Sequence, residues 1–107
     1  MSESTEQVQA IGRLWNEFSQ EPFPDSLRHA TFRGAELWLI ELDIAGCVLG
    51  WLNNSGLLGS KDRVLLQRRI EDLAGVIPEI NDPAGTQYCR RLHQLALRVS
   101  RNLSSAK

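Results

Sequence analysis

The chain has 107 residues, of which 42% are hydrophobic and 23% are charged. This composition is that of a globular protein and excludes a disordered chain. The length predicts a single domain over residues 1–107. Its formal net charge of −1 excludes no class of partner by itself. The first residues, MSESTEQ, are polar and acidic, which argues against a secretory signal and predicts a cytoplasmic protein.

The charges are divided unevenly along the chain. Residues 1–59 carry three Arg against eight Asp or Glu, a net charge of −5. Residues 60–107 carry nine Lys or Arg against five acids, a net charge of +4. An uneven division of this kind can hold the two halves together, pair two copies or attract an anion.

The first predicted element is a helix over residues 3–19, because its large apolar residues recur at three- and four-residue spacing. They are Val8, Ile11, Trp15 and Phe18, with Leu14 at the edge. Pro22 and Pro24 end this helix, since proline cannot continue a helix and disfavours helical backbone at the residue before it. A connector over residues 21–34 follows, and we expect a short helical turn in it at residues 25–28.

The most apolar part of the chain is residues 35–53, AELWLIELDIAGCVLGWLN. As a helix, this stretch is apolar almost all round, with Glu41 and Asp43 pointing in nearly opposite directions. That pattern predicts a helix buried in the middle of a bundle. Gly46 and Gly50 would let a neighbouring backbone approach this helix closely.

Two other structures compete for the same stretch. Residues 36–52 also fit a β-hairpin, because apolar residues alternate from Trp38 to Ile44 and Ala45-Gly46 can turn the chain into a second strand. The helix is favoured since Leu, Glu and Ala dominate the stretch and β-branched residues are few. A membrane span is disfavoured because three carboxylates lie within it, and an acid near the centre of a bilayer costs about 3 kcal/mol.

Two further helices complete the prediction. Residues 53–56 form a stop and turn, and Ser60 is a favourable N-cap for a helix that ends at Gly75 or Pro78. Asp82-Pro83 starts the last helix, with aspartate as N-cap and proline in the first turn. The apolar stripe of that helix consists of Tyr88, Leu92, Leu95, Ala96, Val99 and Leu103. The chain is therefore predicted to be all-α, a small four-helix bundle with a central buried apolar helix; the alternative is an α+β fold containing the hairpin described above.

No residue pattern predicts a catalytic, cofactor-binding or metal site. The two histidines, His29 and His93, and the two cysteines, Cys47 and Cys89, lack the spacing of metal ligands. Both cysteines fall in apolar-periodic segments, which predicts buried, free and unreactive thiols. The sequence contains no nucleophile-elbow motif and no phosphate-binding loop. We therefore expect a protein that is not an enzyme and uses no cofactor.

The last helix is basic and carries no acidic residue. The candidate partner-binding residues on it are Arg90, Arg91, Leu97, Arg98 and Arg101. The arginines divide between two directions, Arg91 with Arg98 and Arg90 with Arg101, and an exposed Leu97 is expected between the second pair. A nucleic-acid-binding face needs such charges, but the acidic first helix can neutralise them. We favour neutralisation, because a run of surface charge rarely specifies a function alone.

Glu41 is the candidate buried charge, because its neighbours on the helix surface are all apolar. We expect it to form an ion pair with Arg13 or Arg33, while Asp43 lies at a wet edge. These features favour a non-enzymatic protein–protein interaction module that binds another protein or itself, as a homodimer or as a small immunity- or antitoxin-type inhibitor. The alternative is a nucleic-acid-binding regulator that uses the basic last helix. No membrane partner is expected.

Overall fold

The computed structural model describes residues 2–28, 31–32 and 35–103. Within these ranges the α-helices are α1 (Ser2–Ser19), α2 (Leu37–Asn53), α3 (Ser60–Val76) and α4 (Pro83–Arg101). A two-residue antiparallel pair, β1 (Thr31–Phe32) with β2 (Ala35–Glu36), precedes α2. The all-α four-helix bundle is thereby confirmed. The alternative hairpin is wrong, because residues 37–53 form one continuous helix.

Local sequence sets the helix ends. After α2, Gly56 adopts a left-handed backbone with φ of 93°, and its N–H donates to the Trp51 carbonyl at 2.8 Å. Asp82 caps α4 as predicted, since its carboxylate accepts the Gly85 N–H at 2.7 Å. Ser60 is the first residue of α3 instead of its N-cap, and the N-cap position belongs to Gly59. The predicted turn in the connector is a 3-10 turn at Asp25–Leu27.

The core lies where α2, α3 and α4 meet, and α2 contributes the largest share of its fully buried side chains. The buried residues of α2 are Leu37, Ile40, Ile44, Cys47, Val48 and Trp51. The helix packs most extensively on α3 and less on α4, whereas α1 packs more on α4 than on α2. Trp51 is completely enclosed, and among the described residues its Nε1–H finds no hydrogen-bond acceptor.

The apolar helix α2 supplies much of the core, but one of its sides is not covered by the other helices. The molecule measures 42 × 26 × 18 Å. Because packed helices lie about 8–10 Å apart, its smallest dimension accommodates two layers of helices and no third. With α1 displaced onto α4, one side of α2 is left facing solvent. In the described part of the chain, none of the helices is both long and apolar enough to cross a membrane.

Candidate interaction surface

The uncovered side of α2 carries large apolar side chains instead of polar ones. Four of them are between 36% and 54% exposed, and a glycine lies among them. We call this surface the open face; it consists of Trp38, Leu39, Leu42, Gly46 and Leu49. A contiguous exposed apolar surface on a soluble domain typically marks a site of protein interaction.

The open face follows from helical geometry. Residues 38, 42, 45 and 49 recur at four- and three-residue spacing, so they form a second apolar stripe beside the buried one. At the centre of the face, Gly46 is exposed, and a methyl group added there would meet no atom within 4 Å. The face therefore has a shallow centre between large side chains, into which another protein surface can pack closely.

A groove lies beside the open face, where α1, α2, α4 and the connector come together. It encloses about 380 Å³. We call it the aromatic groove, because its lining includes Trp15, Phe18, Phe23, Trp38 and Tyr88, together with Glu41. Its rings contact one another: the centroids of Phe18 and Tyr88 are 4.7 Å apart, and Phe23 meets Tyr88 edge-on at 5.5 Å. Trp38 and Leu42 belong to both the groove and the open face.

Glu41 lies in the aromatic groove, and its environment differs from the predicted one. It is half-buried, not buried, and within the described ranges its carboxylate has no hydrogen bond or ion pair. Arg13 is exposed on α1, and Arg33 lies outside the described residues. The physical reason is that Trp38 and Ala45, on the same side of α2 as Glu41, line a groove open to water instead of a closed core. Burial alone raises the pKa of the Glu41 carboxyl.

Asp43 forms an ion pair with an arginine of another helix, whereas such a pair was expected for Glu41 with Arg13 or Arg33. Arg69 of α3 donates from Nε to Asp43 Oδ2 at 2.8 Å and from Nη1 to Asp72 Oδ2 at 3.0 Å. The three side chains are mostly shielded from solvent, with exposed fractions between 17% and 33%. The expectation of a wet edge for Asp43 is therefore wrong, because α3 packs against this flank of α2 and brings Arg69 to it.

The basic side chains of α4 divide between two directions, as predicted. Arg91 and Arg98 both line a cleft between α1 and α4, and Arg91 forms an ion pair with Glu21 from the acidic first part of the chain. Arg98 is half-buried. Arg90 and Arg101 are exposed and form no ion pair with any described residue. The acidic and basic parts of the chain thus meet at Arg91.

The expectation that Leu97 is exposed is wrong. Leu97 is half-buried and packs against the core. It lies one helical turn after His93, which is also half-buried. Desolvation lowers the pKa of His93, and the nearby backbone of Ile70 in α3 opposes that shift.

Both thiols are buried and free, as predicted. Burial is the main cause that raises the pKa of Cys47 and of Cys89 to about 11 in each case. A thiol with such a pKa contains very little thiolate, the reactive form, at neutral pH. Among the residues with a described placement, no three His, Cys, Asp or Glu side chains form a cluster that could hold a metal ion.

Comparison with protein-family models, with curated proteins and with solved structures finds no match to this chain. The open face was not predicted from the sequence, although its signal is present there: Trp38, Leu42, Ala45 and Leu49 form a stripe distinct from that of Ile40, Ile44 and Trp51. Apolar residues on almost all sides of the helix were interpreted as a helix buried in the middle of a bundle.

Proposed function

We propose that this chain is a non-enzymatic protein–protein interaction module that binds an apolar surface of a partner protein through the open face of α2. The observation that carries the proposal is the row of large apolar side chains left in solvent on one helix. Such side chains lose contact with water when a partner covers them, which contributes about 25 cal/mol per Å² of apolar area. A small inhibitor of the immunity or antitoxin type is one form of this function.

A different protein is favoured as the partner over a second copy of this chain. The α2 sequence contains no Lys or Arg. If two copies packed through α2, the facing helix would offer Glu41 no cation while removing more water from its carboxylate. A different protein can supply a Lys or Arg at this position. The test must therefore distinguish a homodimer from a complex with a different protein.

The test begins by locating the contact. A photo-reactive p-benzoylphenylalanine at Leu42 should form a discrete adduct with one other protein in the cells that make this chain. The same group at Val64, an apolar residue of α3 that is 63% exposed, is the matched control and should not form that adduct. An adduct only with the chain itself would indicate a homodimer.

The identified partner is then purified and its affinity measured. The double variant Leu42→Ser/Leu49→Ser should lose about tenfold in affinity for each leucine, whereas Val64→Ser should bind as the wild type does. The double variant should unfold within about 0.5 kcal/mol of the wild type, because the two side chains are exposed. Undiminished binding by a folded double variant would contradict the proposal.

The alternative is a nucleic-acid-binding regulator. It is supported by Arg90 and Arg101, which are exposed and unpaired with any described residue. It is less favoured because Arg91 is already paired with Glu21, which leaves few cations on α4 to contact phosphates.

A further inference from the structure

The aromatic groove joins apolar ring surfaces to one carboxylate. Tyr88 is buried, while Trp38 is 45% exposed and closes the side of the groove that continues into the open face. The indole N–H of Trp38 donates to the Glu36 carboxylate, which fixes the orientation of its ring. The groove is therefore a formed depression whose walls present ring surfaces to whatever enters it.

Two carboxylates line this groove, Glu21 and Glu41, and Glu21 is paired with Arg91. Glu36, outside the lining, accepts the indole N–H of Trp38. Glu41 has neither kind of partner among the described side chains. Its charge is close enough to Tyr88 to contribute, after burial, to raising the pKa of that phenol. A desolvated, unpaired carboxylate weakens the folded state, and such groups are concentrated at binding sites.

We infer that the aromatic groove binds a basic side chain, arginine or lysine, that a partner protein inserts beside the open face. This inference rests on the proposed function and gives the partner its chemistry: an apolar surface with one cation at its edge. Aromatic rings attract a cation through their negative faces, and an unpaired carboxylate supplies the opposite charge. The aliphatic stem of an arginine or lysine suits the apolar walls, while its charged end reaches Glu41.

The position of the groove favours a side chain over a free small cation. Because Trp38 and Leu42 belong to both surfaces, a protein that covers the open face necessarily passes the mouth of the groove. The basic side chain then belongs to the same partner protein that covers the leucines of the open face. Its insertion supplies a positive charge to Glu41, which has no cationic partner among the described residues.

The groove can be tested on the isolated protein with a small probe. We would titrate Nα-acetyl-arginine amide into the 15N-labelled chain and follow the three indole N–H signals by NMR. The signals of Trp15 and Trp38 should shift in a saturable manner, while that of Trp51, which is enclosed in the core, should not move. Nα-acetyl-citrulline amide has nearly the same shape without the charge and should leave all three signals in place.

Two variants identify the groups responsible. Glu41→Gln should weaken binding of the arginine probe about tenfold or more, whereas Glu6→Gln, an equal change of charge at an exposed position on α1, should leave it unchanged. Trp38→Leu keeps an apolar side chain but removes the ring, and it should also weaken binding. Equal shifts with the citrulline probe, full affinity in folded Glu41→Gln, or a shift of Trp51 equal to that of Trp38 would each overturn the inference.

The outcome separates this inference from the proposed function. A groove that fails to bind the arginine probe overturns the inference, yet Leu39→Ser/Leu49→Ser, which changes two open-face leucines outside the groove lining, would still lose the partner if the open face is the interface. Probe binding by an open-face variant that also keeps its partner would instead support the groove and contradict the proposed function.

Discussion

Two carboxylates only two residues apart on α2 have opposite environments. On a helix, such residues point about 200° apart, so α3 approaches one of them and the groove surrounds the other. Asp43 meets Arg69 of α3, whereas Glu41 lies among aromatic rings and has no cationic partner in the described ranges. The ion pair stabilises the fold, and a desolvated carboxylate without a partner weakens it.

The first prediction compares isosteric amides at these positions. Asp43→Asn should lower the free energy of unfolding by about 1–2 kcal/mol, because it weakens a partly buried ion pair and its hydrogen bond. Glu41→Gln should raise the free energy of unfolding at pH 7, because it removes a desolvated charge. Urea unfolding measures both variants. A loss of stability in Glu41→Gln at pH 7 would show that Glu41 has a cationic partner in the free protein.

The pH dependence of Glu41→Gln provides the control. The folded-state pKa of Glu41 lies above the ordinary value of 4.5, so the folded protein binds more protons than the unfolded one as the pH rises from that value. The wild type therefore loses stability from this group as pH rises through the raised pKa. The difference between variant and wild type should be small below pH 4.5 and larger at pH 7. If the difference in the free energy of unfolding did not change with pH, the ionisation of Glu41 would not be its cause.

At the scale of the element, two glycines on helices have opposite roles. Gly46 lies in the open middle of α2, where an added methyl group meets nothing within 4 Å. Gly85 lies in the first turn of α4, where an added methyl carbon would be 2.9 Å from Asp82 Oδ1. The second glycine is required by the N-cap itself, because the Asp82 carboxylate covers its N–H.

The second prediction uses the same substitution at both glycines. Gly46→Ala should stabilise the isolated chain by about 1 kcal/mol, since alanine is the better helix former and the site is open. Gly85→Ala should destabilise it by about 1 kcal/mol, because the cap must move. Thermal unfolding of the two variants measures the effects. Destabilisation by Gly46→Ala would mean that the open face is already covered by another chain.

At the scale of the whole molecule, the acidic and basic halves partly neutralise each other. The contact is made between Arg91 of α4 and Glu21 after α1, and Arg98 is half-buried in the same cleft. Arg90 and Arg101 remain in solvent. Two exposed cations on the described part of α4 make few phosphate contacts, so we expect weak binding of nucleic acid by this helix.

The third prediction is therefore weak binding to a labelled random DNA duplex, lost by physiological salt. Titration at two salt concentrations measures it, with Arg90→Glu/Arg101→Glu and Arg91→Glu/Arg98→Glu as charge-reversal controls. A protein that contacts several phosphates would show log K falling with log salt at a slope of about −0.9 per contact. Sub-micromolar affinity at physiological salt, abolished by either charge reversal, would contradict the interaction module and support the regulator.

Sequence alone determined the elements of this fold, because their signals are local. Prolines after α1, the turn through Gly56 and the Asp82-Pro83 cap act on neighbouring backbone, so the helix bounds were predicted to within a few residues. The division of the α4 arginines into two directions and the burial of both cysteines follow from helical periodicity in the same way.

Only the tertiary structure decided which apolar side of α2 is covered and which carboxylate has a partner. Periodicity shows that a helix has apolar sides, but the number of layers and the placement of α1 determine how many of them other helices can cover. For the same reason Arg69, 26 residues away in the chain, reaches Asp43, while Glu41 remains in the aromatic groove. Contacts between distant residues depend on how helices pack, and helical spacing within one segment carries no information about them.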